Sequence, residues 1–243
     1  MTYCVALKLN AGLICLSDTR TNAGVDNISR YKKMFTWRNP GERAITMMTA
    51  GNLAITQAVM SMLQENIDKP KEGIETLFTA PSMFRVAEIV GDAMTVVQSR
   101  YGPALAARGE HSESTIICAG QRAGGQLRLF MIYSAGNFIE ATDDTPFFQI
   151  GEHKYGKPIL DRVITPETAL DDGILAALLS MDSTLRSNLS VGMPLDLTVQ
   201  RRGVFDFDQE RRIEAEDQGF QALSQSWSDA LKNAFSSMRD VFQ

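Results

Sequence analysis

At 243 residues the chain has room for one large domain, and its 44% apolar content supplies a sizeable core. A formal net charge of −5 with no Lys/Arg block argues against nucleic acid as a partner, and no apolar run is long enough to cross a bilayer. Cys4, Cys15 and Cys118 lie in apolar strand-like runs, and His111 and His153 have no His or Cys at ligand spacing, so buried reduced thiols are expected and no metal or other cofactor is.

The start, Met1-Thr2-Tyr3-Cys4, has no basic stretch ahead of an apolar one, so no signal peptide is expected and the cytoplasm is the expected compartment. Val5, Leu7 and Leu9 alternate with Cys4, Ala6 and Lys8, which predicts a strand. Ala11-Gly12 makes a turn, Leu13 to Leu16 a second strand ending in Ser17-Asp18, and Thr19 to Asp26 a loop. Alternation over Ile28 to Trp37 predicts a third strand, and Ala44 to Ala50 a fourth, closed by Gly51. A helix follows over Leu53 to Ile67, with Leu53, Gln57, Met60, Leu63 and Ile67 on one stripe. The next starts near Pro81, carries Phe84, Ala87, Val90 and Met94, and ends near Gly102-Pro103. Strands return at Thr115 to Ala119, Leu127 to Tyr133, Phe138 to Ala141 and Phe147 to Ile150. Helices then fit Tyr155 to Val163 and Ala169 to Leu185, and a strand fits Leu195 to Gln200. A last amphipathic helix within 216–240 carries Phe220, Leu223, Trp227, Leu231 and Phe235.

Neither half alternates strand with helix, which disfavours a parallel doubly wound sheet. Two antiparallel sheets, each covered by a helix pair, satisfy the order. The expected fold is an α+β, four-layer αββα sandwich spanning 1–243 as a single domain.

The chemistry concentrates at the N-terminus. Removal of Met1 would make Thr2 the first residue, joining a nucleophilic hydroxyl to an α-amine that can take its proton. A free α-amine titrates near 7.7–8.0, close to working pH. The first hairpin brings Asp18 back beside Thr2. Tyr31, Lys33 and Phe35 share one strand face and Lys32 and Met34 the other. If the Tyr31/Phe35 face is the core, Lys33 points inward, and a buried Lys needs a partner, which Asp18 supplies. Lys33 would then favour the deprotonated hydroxyl and lower the pKa of the amine. Thr49-Ala50-Gly51-Asn52 lies where a strand passes into a helix, and backbone N–H groups there are candidates for an oxyanion hole. Asp143-Asp144 and Asp171-Asp172 are expected to cap turns or a helix start, and Met60 and Met62 to serve core or interface.

Thr2, Ser17-Asp18-Thr19-Arg20-Thr21-Asn22-Ala23-Gly24, Lys32-Lys33-Met34 and Thr49-Ala50-Gly51 together resemble the proteasome β-subunit family of N-terminal-nucleophile (Ntn) hydrolases, in order and at similar spacing. The stretches Ile150 to Pro158 and Ser187 to Gly192, with the Met-Thr-Tyr-Cys start, are similar to the bacterial ancestral β-subunit (Anbu) branch. The resemblance implies a threonine-type peptidase with Thr2 as nucleophile and base, Lys33 as the pKa-lowering cation, Asp18 as its partner and the Gly51 N–H as oxyanion donor. It also implies that Ser190 helps hold the amine. The family's Asp three residues before that Ser falls on Ser187, or on Asn188 with a slipped register, and its Gly-Ser-Gly turn falls on Gly151-Glu152-His153. Those departures leave open an assembling protein with little peptidase activity, or an Ntn amidase for small amides. The implied partners are copies of the same chain, in a ring or an open spiral, and unfolded polypeptide as substrate. No motif assigns an ATPase unfoldase. Met60, Phe78 and Phe84 are expected at surfaces between copies.

Overall fold

The structure, a computed structural model, describes residues 2–22 and 28–239. Met1, Ala23 and Gly24 of the family-like segment, the expected loop as far as Asp26 and position 240 of the expected last helix lie outside the described residues.

Strands β1 (Tyr3–Leu9) and β2 (Gly12–Asp18) form the expected hairpin, with Cys4 opposite Ser17. They sit inside a five-stranded sheet ordered β10 (Phe147–Gly151), β1, β2, β11 (Leu195–Arg201), β12 (Gln209–Ile213). A second five-stranded sheet runs β5 (Met34–Asn39), β6 (Arg43–Gly51), β7 (Ser114–Arg122), β8 (Arg128–Ile132), β9 (Phe138–Glu140). A two-stranded ribbon pairs β3 (Arg20–Asn22) with β4 (Ile28–Arg30). The described strand pairs are antiparallel.

Alternation in β1 sorts its side chains between two layers. Tyr3, Val5, Leu7 and Leu9 meet α3 (Lys157–Val163) and α4 (Leu170–Ser187), joining Leu160, Ala177 and Met181. The smaller Cys4 and Ala6 face the other sheet and meet Met48, Ala50, Ile117 and Ala119. The outer face of the second sheet packs Ile45, Met47, Ile116 and Phe130 under α1 (Leu53–Asp68) and α2 (Met83–Ala106). Strand β1 thus turns its large residues to the helices and its small ones to the other sheet, where they meet larger partners such as Met48 and Ile117. Each fully buried aliphatic side chain contributes roughly 1.5–3 kcal/mol. The expected αββα order holds.

Several local expectations are corrected. Residues 20–22 form β3 rather than loop, and the run over 28–37 is not one strand: β4 ends at Arg30 and β5 begins at Met34. A charged strand, β12, follows β11, and of its residues only Ile213 is buried. Helix α1 buries Ile55, Val59, Met60 and Leu63 while Gln57 is exposed, so its core stripe is rotated from the expected one. Helix α2 is capped by Ser82 and runs on through Pro103 to Ala106. Helix α3 begins at Lys157, not Tyr155. Asp171 and Asp172 lie in the first turn of α4 and make no capping bond there; the N-cap position is Ala169. Their charge still suits the positive end of the helix. Met60 is core, Phe78 is partly buried against that core, and Phe84 is half exposed, edge-on to Phe138. Helix α5 (Gln218–Ser237) packs Phe220 and Leu223 on the second core, and Leu231 and Phe235 remain exposed.

Candidate active site

One end of the sandwich collects the start of β1, the ends of β2, β6 and β10, and the residues leading into β5. Thr2 is partly buried there, and its carbonyl accepts the Glu152 N–H at 2.7 Å. The neighbouring Gly151 has φ of +81°, and a Cβ on it would lie 2.0 Å from the Thr2 carbonyl oxygen, so only glycine lets β10 close on Thr2.

Asp18 ends β2 fully buried, with four donors converging on it. Its Oδ1 accepts the Lys33 ammonium at 2.7 Å and the Tyr3 N–H at 3.1 Å. Its Oδ2 accepts the N–H groups of Arg20 and Gly192, each at 3.2 Å. Burial pushes the Asp18 carboxyl above its ordinary value, and the Lys33 charge and the N–H donors pull it back. Lys33 is 2% exposed, and its ammonium also donates to the Arg20 carbonyl at 2.5 Å. Lys32 is exposed and lies over the Phe35 ring at 5.8 Å.

Lys33 therefore points inward as expected, but for a different reason. Tyr31, assigned to the same core face, is 42% exposed. Residues 31–33 lie outside the strand ladder, where period-two alternation does not apply. Lys33 is turned in toward the Asp18 carboxylate and the Arg20 carbonyl, and its own carbonyl is held by the Thr49 N–H at 3.0 Å.

Thr2, Thr21, Lys33, Thr49, Gly51 and Gly151 line a cleft of about 280 Å³. Gly51 has φ of +101°, and a Cβ there would sit 2.2 Å from the Glu113 carbonyl oxygen. The Asn52 carboxamide oxygen accepts the Ala54 and Ile55 N–H groups at 3.0 and 3.2 Å, capping α1. Those helix-start donors are taken by the cap, and within the expected 49–52 stretch the Thr49 and Asn52 N–H groups donate to the Lys33 and Glu113 carbonyls at 3.0 and 2.9 Å. The candidate donor on the strand side is Gly51. Its N–H lies two residues beyond that of Thr49, on the same strand edge.

Ser190 is in the turn after α4, where its N–H donates to the Asn188 side-chain oxygen at 2.9 Å. It does not line the cleft with Thr2. Ser187 is exposed at the end of α4. Asn188 instead donates through Nδ2 to Glu152 Oε2 at 3.2 Å, and Glu152 Oε1 accepts the Lys154 N–H at 3.2 Å. Glu152, on the turn that aligns with the family's Gly-Ser-Gly, is thus the residue that the fold sets against Thr2. His153 is exposed, with Nδ1 3.4 Å from the Gly151 carbonyl.

The other acidic hydrogens nearby are held. Burial pushes the Tyr3 hydroxyl to about 12, beside Ser180 at 2.5 Å. Burial likewise pushes Cys15 and Cys118 to about 12 and Cys4 well above the usual thiol value, so these thiols are poor nucleophiles. Among the described residues there is no group of three or more His, Cys, Asp or Glu that could hold a metal ion, and no helix is long and apolar enough to cross a membrane. A hydroxyl, a buried cation and a backbone donor around one cleft are the parts acyl transfer requires.

No family model and no curated protein matches the chain. Solved structures do. An Anbu mutant from Hyphomicrobium sp. strain MC1 is 54% identical over 97% of both chains, with a TM-score of 0.91. Anbu (ancestral β-subunit) from Yersinia bercovieri is 44% identical over 96% of both chains, with a TM-score of 0.90. A helical assembly of the Anbu complex from Pseudomonas aeruginosa is 44% identical, covering 97% of this chain and 96% of that one, with a TM-score of 0.91.

Proposed function

The chain belongs to the bacterial Anbu (ancestral β-subunit) family of proteasome-like proteins, and from that premise we propose that it is a threonine-type amide hydrolase with Thr2 as nucleophile. The observation that carries this is the buried Lys33–Asp18 pair, whose Lys33 lines the same cleft as Thr2. A buried ion pair is weak evidence for stability, since well-packed apolar residues of similar volume often serve as well. Its position beside a threonine gives it a chemical use.

Removal of Met1 exposes the Thr2 amine. The hydroxyl attacks the substrate carbonyl carbon, and its proton passes to the amine. Lys33 favours the deprotonated hydroxyl by charge, and Asp18 holds Lys33 in place. The carbonyl oxygen, now negative, is met by the Gly51 N–H. Collapse breaks the C–N bond, the ammonium gives its proton to the leaving amine, and water then hydrolyses the ester on Thr2. Ser190 acts at a distance, through the turn that carries Asn188 and Gly192.

Copies of the chain associate, and peptide or unfolded polypeptide reaches Thr2 sites in a shared space in the cytoplasm. Support comes from the helical assembly of the Pseudomonas relative and from the exposed apolar residues Leu231, Phe235 and Met238 on and just after α5. A head-to-tail contact closes into a ring or continues as a spiral according to its rotation. The side-chain carboxylate that the family resemblance leads one to expect at Ser187 or Asn188 is missing from both. This is the observation that favours slow turnover as the second reading.

Hydrolysis of fluorogenic peptides by single variants tests the assignment. Thr2→Ala and Lys33→Ala should abolish turnover, and Lys32→Ala should leave most of it. Full activity in Lys33→Ala would overturn the assigned role.

A further inference from the structure

Resting on the threonine-hydrolase reading above, we propose that Glu152 is the positioning residue for the Thr2 α-amine. The case begins with strand register. Tyr3 stands opposite Gly151 in the β1–β10 ladder, so one further step sets Thr2 opposite Glu152. The 2.7 Å bond from the Glu152 N–H to the Thr2 carbonyl continues the pairing by one step and supplies one of the two bonds of a hydrogen-bonded pair. In such a pair both backbone groups of each residue face the partner. The Thr2 nitrogen therefore faces the strand end that carries Glu152. Tyr3, one residue on, sends its N–H the other way, to Asp18.

The Glu152 carboxylate is fixed at both oxygens. Oε1 accepts the Lys154 N–H and Oε2 accepts Asn188 Nδ2, each at 3.2 Å. Asn188 is itself held by the Ser190 N–H at 2.9 Å, and two residues later the Gly192 N–H holds Asp18 at 3.2 Å. One turn after α4 thus ties a carboxylate on the amine side of Thr2 to the Lys33–Asp18 pair on the other side. When the hydroxyl proton moves to the amine, the ammonium forms on the side of Glu152, whose charge favours it. Lys33 disfavours the same ammonium, and the two opposed charges bring the amine toward working pH. Among the described residues, the charged and titratable groups on the elements that meet at Thr2 include Asp18 on β2, Arg20 on β3, Lys33 ahead of β5, and Glu152, His153 and Lys154 after β10.

The test is the rate at which a peptide epoxyketone modifies Thr2, followed by intact mass across pH, for protein with a free Thr2 amine. Glu152→Gln keeps an oxygen to accept from Asn188 and removes the charge, at the cost of the acceptor for the exposed Lys154 N–H. It should move the acid limb of the profile down by about 1 pH unit, as loss of a nearby opposite charge does. It should also slow the plateau rate by roughly tenfold through looser placement. Asn188→Ala should shift the limb in the same direction by less, and His153→Ala should leave it in place. A purely structural role for Glu152 would lower the rate without moving the limb. A Glu152→Gln profile that superimposes on the wild type, or a limb that moves in His153→Ala instead, overturns the proposal. Absence of any adduct on the wild type removes the hydrolase reading and this inference together. An adduct with unchanged Glu152→Gln behaviour removes this inference alone.

Discussion

Lys33→Ala should destabilise the protein far more than a surface Lys→Ala change, and the size follows from what the substitution leaves behind. Asp18 is fully buried and Lys33 2% exposed, so removing the ammonium strands a carboxylate without its charge partner. Breaking a buried pair from one side costs about 3–5 kcal/mol. Asp18 keeps the N–H groups of Tyr3, Arg20 and Gly192, which places the cost toward the lower end, about 3 kcal/mol. For a chain of this length that is a drop in Tm of roughly 6–12 °C at fixed protomer concentration. The sign with pH is also set. The folded Asp18 carboxyl is raised by burial, so its contribution to stability is full below the ordinary carboxylate value and is lost as pH rises through the folded value. Without Lys33 the folded value rises further. The gap between variant and wild type should therefore be smallest in acid and widen toward neutrality. Asp18→Asn combined with Lys33→Met should recover much of the loss, with a coupling of about 2 kcal/mol. Thermal melts of these proteins across pH, with the Asp18→Asn and Lys33→Met single variants added to close the cycle, read this directly. A Lys33→Ala melt within about 2 °C of wild type at neutral pH, or a gap that narrows as pH rises, would refute the reasoning.

Gly51→Ala forces a side chain into φ of +101° and against the Glu113 carbonyl, so it should cost about 2 kcal/mol or more, read as a lower Tm, and abolish peptide turnover. The three cysteines, with burial raising each thiol, should resist an aromatic disulfide reagent at mildly basic pH in the folded protein and react fully in denaturant. Sedimentation at micromolar concentration should show species well above the mass of one chain. Phe235→Asp, at a 70% exposed apolar position, should shift them toward smaller ones without unfolding the chain. A single species at monomer mass with hydrolysis intact would contradict a shared enclosed space.

The parts of the site that depend on neighbours in sequence were legible. Asp18 follows from a hairpin whose turn and alternation are local, and the layer order follows from strands and helices with clear periods. The inward direction of Lys33 does not follow from strand faces, because 31–33 cross between strands and side-chain direction there is set by hydrogen bonds. β12 was not legible because its Gln-Glu-Arg-Arg-Ile pattern lies on a solvated edge, and the β3–β4 ribbon because its strands are three residues long. Glu152 stands out in the sequence only beside His153, as one of two residues that could make up for the missing carboxylate, and local pattern does not choose between them. Its place beside Thr2 depends on β1 pairing with β10, which lies most of the chain away, and no nearby period encodes that. The available signal was Gly151, which suited a close backbone approach, followed by an acid next to a residue pair, Ser187-Asn188, lacking one.

Thr2 as an exposed nucleophile is the central claim, and peptide mapping after epoxyketone treatment tests it most directly. Protein taken from its native host should weigh less than the full chain by one methionine. It should gain one inhibitor mass, on the peptide that begins at Thr2, and Lys33→Ala protein should gain none. Complete retention of Met1, or an adduct mapped to any residue other than Thr2, would contradict the account.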